Sequence, residues 1–150
     1  MIRNARQHMV TQEYVAKFER AIDQLKNRPS ASDPTDPRMR EIQIAALQSQ
    51  LDDLRAELSE YDQLRAGQLE SVSLDSLPRL ADALIAARIT SGLTQRQLAE
   101  RLGLKEQQIQ RYEATDYQSA SLARMTEIAS ALQIEVRGEI GLPGAATKAA

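Results

Sequence analysis

The 150-residue chain contains no cysteine, no tryptophan, one phenylalanine, four tyrosines and one histidine. Without cysteine there is neither a disulfide nor a thiolate metal site. A lone histidine, His8, cannot build a His-based metal site or a triad, and it falls in a terminus expected to fray. The five rings (Tyr14, Phe18, Tyr61, Tyr112 and Tyr117) are too few for an aromatic sandwich core. The interior must therefore be Leu, Ile, Ala and Met, which suits packed helices. No run approaches the ~20 apolar residues of a membrane span, and the start MIRNARQHMV lacks the apolar stretch of a signal peptide. The expectation is a cytoplasmic protein with no membrane partner. No nucleophile–base pair, metal cluster or phosphate-binding loop is visible, so neither an enzyme nor a cofactor is expected.

Charge is also scarce in one sign. The formal net charge is −2, whereas a nucleic-acid binder usually shows a basic footprint. The deficit is uneven. Residues 1–78 hold 10 Lys/Arg against 13 Asp/Glu, and residues 79–137 hold 8 against 7. The second region is mildly basic.

What is present is helical periodicity in two blocks. In residues 11–27, Tyr14, Val15, Phe18, Ile22 and Leu25 share one helical face. The stretch 27–37 holds three prolines with Ser and Asp, a loop by composition, and Asp36–Pro37 reads as an N-cap followed by Pro at the first helical position. Beyond it, Ile44, Leu47, Leu51, Leu54, Leu58 and Tyr61 step by three and four, the a/d pattern of a coiled-coil seam. Residues 1–65 thus read as an antiparallel helical hairpin, with Asp52, Asp53, Glu57 and Glu60 on a solvated face. Residues 66–77 lose periodicity and read as a linker, with Gly67 as helix terminator. Residues 78–140 read as closely spaced helices ending in a strand, because Ile134, Val136 and Ile140 sit among charged residues at alternating positions. Residues 141–150 read as a disordered tail. The fold class expected is mainly all-α with one short C-terminal strand.

The informative segment is Thr94–Glu113. Thr94 and Gln97 have capping-box spacing, so a helix starts there. Leu98, Ala99 and Leu102 form its buried stripe, and Gly103 can take the positive φ that ends it sharply. A second short helix runs through Ile109 and Tyr112. Two helices across a short Gly-containing turn form a helix-turn-helix unit, which needs a small side chain at the crossing, as at Ala99.

From Gln95 onward the segment resembles the helix-turn-helix of the Cro/repressor (Xre) family. The family's small residue, turn glycine and buried aliphatic fall at Ala99, Gly103 and Ile109. Ala87-Arg88 and Gly92-Leu93-Thr94-Gln95 resemble its opening, and 122–132 its later helix, with Leu122, Met125, Ile128 and Leu132 inward. The resemblance covers about 55 residues and implies a five-helix-type bundle. It also implies a structural ion pair between Arg88 and Glu113. Two positions depart from the family: Lys105 replaces the usual Ser or Thr cap, and Thr115 replaces a usual glycine, which bears on the loop 115–119.

At ~100° per residue, Ile109 and Tyr112 mark the buried side of the second helix, so Gln107 and Arg111 project away with Gln110 flanking. These three are the expected base-contacting residues, since Gln suits adenine and Arg suits guanine. Gln95, Arg96, Lys105 and Gln108 are the expected phosphate contacts near helix N-termini. The expected partner is double-stranded DNA, bound by a homodimer on two half-sites. Candidate dimer devices are the seam (Leu47, Leu51, Leu54, Leu58) and the strand (Ile134, Val136, Ile140). The leading expectation is a transcriptional repressor. A resemblance to Hig-type and Hip-type antitoxins adds the alternative of an autorepressor that also binds a toxin. A protein-interaction module without DNA binding is the rival from another class.

Overall fold

Two local signals start the first helix. Asn4 is extended, and its side-chain oxygen accepts from the Gln7 amide at 2.9 Å, capping α1 (Ala5–Lys26). The helix begins six residues before the apolar periodicity does. His8 therefore lies inside α1 rather than in a frayed end. Its ring lies 5.1 Å from that of Tyr61 and its Nε2 3.1 Å from Asp62. Ile2, 2% exposed, anchors the segment before the cap. The structure, a computed structural model, describes residues 1–27, 36–69 and 71–140. The expected loop at 28–35 and the expected tail at 141–150 lie outside the described residues.

The second helix, α2 (Pro37–Arg65), starts as its sequence suggests: Asp36 accepts from the Arg38 amide at 3.0 Å and Pro37 occupies the first turn. It ends where Gly67 takes φ +66, letting the Gly67 and Gln68 amides return to the Leu64 and Gln63 carbonyls. Pairing His8 with Tyr61 and Glu19 with Arg55 (2.7 Å) runs the two helices antiparallel. Leu51, Tyr61 and Leu64 are buried along α2 and Ile22 along α1, with Ile44, Leu47, Leu54, Leu58, Val15, Phe18 and Leu25 half-buried. The seam is thus the hairpin's own core.

Four further helices follow: α3 (Arg79–Thr90), α4 (Gln95–Arg101), α5 (Glu106–Ala114) and α6 (Leu122–Ala131). The six elements among the described residues are all helical, as the composition led one to expect, and four of them lie in the C-terminal part. Its core joins Leu84 and Ile85 of α3, Leu98 and Ala99 of α4, Ile109 of α5 and Ile128 of α6, all at or below 1% exposure. Leu122 departs from the expected inward set: it opens α6 beside its Ser121 cap and is 74% exposed. The expected strand is also not formed. Residues 134–140 have no regular secondary structure, because a ladder needs a second strand and the described residues supply none.

The chain divides into two compact units, Met1–Glu70 with Ile89–Thr94, and Ser71–Arg88 with Gln95–Ala150.

Candidate nucleic-acid interface

The geometry of α4 and α5 is set by the turn between them. At the end of α4 the Leu104 amide reaches the Ala99 carbonyl at 2.9 Å and the Gly103 amide the Glu100 carbonyl at 3.2 Å. This pattern needs a left-handed residue, and Gly103 supplies it at φ +64. Leu104 then turns half inward, which redirects the chain into α5. Lys105 stands at the N-cap of α5, and a lysine side chain has no acceptor. Only the reciprocal half of a capping box forms: Gln108 Oε1 accepts from the Lys105 amide at 3.1 Å.

Helix α5 buries Ile109 and Glu113, one turn apart and both 0% exposed. A fully buried carboxylate requires partners, and it has three bonds. Arg88 Nε and Nη2 donate to its two oxygens at 2.5 and 2.8 Å. Gln95 Nε2 donates to Oε2 at 2.8 Å. Arg88 is 2% exposed and Gln95 8%. This cluster ties α3, α4 and α5 together, and fixes α5 by a bidentate contact that resists rotation about its axis.

The opposite face of α5 is open. Gln107, Gln110 and Arg111 are all exposed; Gln110 Nε2 donates to Glu106 at 3.1 Å, one turn back. The expected phosphate contacts separate into distinct environments. Lys105 is exposed, and Arg96 is exposed but ion-paired with Glu100 at 3.0 Å. Gln108 is half-buried in its capping role. Gln95 points its side chain inward to Glu113, leaving its backbone as the group able to face a phosphate. The dimer candidates separate as well: Leu51 is 3% exposed, whereas Val136 is 51% and Ile140 89% exposed.

Two roles in the C-terminal unit were not legible from the sequence. One is Gln95 as a ligand of Glu113. The other is Tyr117, which is 2% exposed in the loop after α5. Without a glycine at Thr115, the chain closes α5 with two left-handed residues, Asp116 (φ 49) and Tyr117 (φ 58). The Tyr117 amide reaches the Tyr112 carbonyl at 2.7 Å, and the two rings stack at 6.0 Å. The Tyr117 hydroxyl is buried without a hydrogen-bond partner among the described residues. Burial, reinforced by the Glu113 carboxylate and opposed by Arg88, raises its pKa well above the ordinary tyrosine range. A ring inside an otherwise polar loop was the available signal.

The arrangement as a whole is a short helix with one rigid, buried side and one polar side free to enter a groove. Comparison with curated proteins and with solved structures gives no match. A family model does match residues 84–138, and its description is helix-turn-helix. That family is a DNA-binding regulator domain and not an enzyme family. No helix among the described residues is long and apolar enough to cross a membrane. Residues 84–138 accordingly match the helix-turn-helix family model, the domain type of Cro/C1-type, Xre-like DNA-binding regulators.

Proposed function

We propose that the chain is a sequence-specific repressor that binds an inverted-repeat operator as a homodimer. One observation carries the reading: α5 is braced by the buried Arg88–Glu113–Gln95 cluster while Gln107, Gln110 and Arg111 stand exposed on its far side. In a major groove Arg111 suits guanine and the two glutamines suit adenine, each good pair giving about 1–3 kcal/mol of discrimination. Lys105, Arg96, Gln108 and the backbone at Gln95 position the domain on phosphates. Near-neutral charge leaves affinity resting on these few groups and on dimerisation. The exposed residues Val136 and Ile140 lie in an unpaired segment that could form a two-stranded ribbon with its symmetry mate.

A gel shift with the DNA upstream of the gene tests the reading. Specific retardation that weakens steeply with salt is expected; its absence favours the protein-interaction alternative. In the antitoxin version the hairpin, which has its own core, would be the toxin-binding module. Co-purification with the product of an adjacent gene distinguishes it.

A further inference from the structure

We propose that one side of the N-terminal hairpin is a self-association surface whose occupant is a second copy of this chain. The inference adds to the dimer proposed above and rests on that reading only for its purpose; the surface itself is argued from the hairpin alone.

The two sides of the hairpin differ. On one, charges are satisfied within the chain: Arg55 pairs with Glu19 at 2.7 Å, and His8 lies 3.1 Å from Asp62. On the other, a cleft of about 420 Å³ opens between the helices, lined by Arg3, Arg6, Val10 and Tyr14 of the α1 segment and by Glu57 of α2. Steps of three and four extend this α1 stripe to Lys17, whose ammonium lies 5.6 Å from the Tyr14 ring centre. The same spacing extends the α2 stripe from Glu57 to Asp53 and Glu60. Glu57 is held by the Met1 amine at 3.1 Å. Arg6, Lys17, Asp53 and Glu60 are exposed and form no ion pair among the described residues. Val10 (41%) and Tyr14 (49%) leave apolar surface between the two charged rows.

One face thus carries on α1 a row of Arg6 and Lys17, with the carboxylate of Glu13 beside them, and on α2 an acidic row, with apolar side chains between. That pattern is complementary to itself. A two-fold axis parallel to the helices lays the basic row of each copy over the acidic row of the other, and brings the Val10 and Tyr14 positions toward the axis. The heights agree. His8 is level with Tyr61, so in an antiparallel pair Arg6 falls within a turn of Glu60 and Lys17 within a turn of Asp53. An axis across the helices would set like charges together, so charge also selects the orientation.

The test is sedimentation equilibrium of the full chain without DNA, so that a failure here is separable from a failure of DNA binding. The wild type should be a dimer that weakens with salt. Arg6→Glu with Lys17→Glu, or Asp53→Lys with Glu60→Lys, should each raise the dimer Kd by roughly tenfold or more, through repulsion at two symmetric places. Combining all four reversals inverts the face but keeps it self-complementary, and should restore dimerisation. Tyr14→Ala should weaken the dimer without changing helicity, because the ring is exposed in the single chain. A monomeric wild type overturns the proposal, as does a dimer whose affinity ignores these substitutions; association only with a different protein counts against it equally.

Discussion

Replacing Arg88 by methionine isolates the electrostatic role of the buried cluster. Methionine retains much of the length of the arginine stem, so little packing volume is lost and the main change is the charge. The pair it breaks has side chains 3% and 0% exposed, with two bonds of 2.5 and 2.8 Å. What remains is Glu113 facing one neutral donor, Gln95. A neutral hydrogen bond contributes about 1 kcal/mol, whereas removing one member of a buried pair costs about 3–5 kcal/mol. Gln95 therefore cannot compensate. Small domains sit near the lower end of the usual ~5–15 kcal/mol of stability, so Arg88→Met should leave the C-terminal unit marginal or unfolded. Removing both charges, as Arg88→Met with Glu113→Leu, leaves no orphaned charge, only the neutral Gln95 amide without its Glu113 acceptor, and should return to within about 2 kcal/mol of wild type. Urea unfolding followed by circular dichroism gives the complete double-mutant cycle. A coupling energy below about 0.5 kcal/mol, the scale of an ordinary surface substitution, would refute the claim that this pair braces α5.

Other outcomes follow from the same geometry. Tyr117→Phe removes a buried hydroxyl that lacks a partner among the described residues, and should raise the urea midpoint by the equivalent of about 1 kcal/mol; a loss of that size would mean the hydroxyl is bonded. Because the folded state holds the Tyr117 proton more tightly, stability is independent of this group well below the ordinary tyrosine pKa of 10.0 and falls as pH rises above it, where the unfolded chain ionises first. The Phe variant should lose less stability across that alkaline range, and equal slopes would contradict the burial argument. Gly103→Ala meets no atom within 4 Å but forces alanine to φ +64, so thermal unfolding should show a purely conformational cost of about 1 kcal/mol. Conversely, Gln133→Gly should stabilise by about 0.5–1 kcal/mol, since Gln133 ends α6 at φ 56.

Much of this architecture was readable because the signals were local. Asp36–Pro37 starts α2 and Gly67 ends it as the cap rules require. Ala99, Gly103 and Ile109 sit where two crossing helices need a small residue, a left-handed turn and an inward aliphatic. The exposed face of α5 followed from the helical period once Ile109 fixed the buried side. What escaped depends on tertiary context. The inward turn of Gln95 is decided by Glu113, eighteen residues away in sequence. Tyr117 is buried because two left-handed residues fold the loop back under α5, a conformation that propensity does not favour. The family resemblance implies an inward Leu122, but at the first position of α6 it is exposed. Residues 134–140 alternate as a strand would, yet hydrogen-bonded pairing is a property of two segments, and one sequence pattern cannot supply the second.

The central claim concerns the face of α5, and a selection from randomised DNA duplexes tests it most directly. The wild type, Arg111→Ala, Gln107→Ala and Lys105→Ala would be profiled side by side at one salt concentration. The expected result is an inverted-repeat preference in the wild type. Arg111→Ala should relax it at a guanine and Gln107→Ala at an adenine, while Lys105→Ala weakens binding to all sequences alike. Base preferences that are unchanged in Arg111→Ala and Gln107→Ala, or that shift equally in all three variants, would contradict the account.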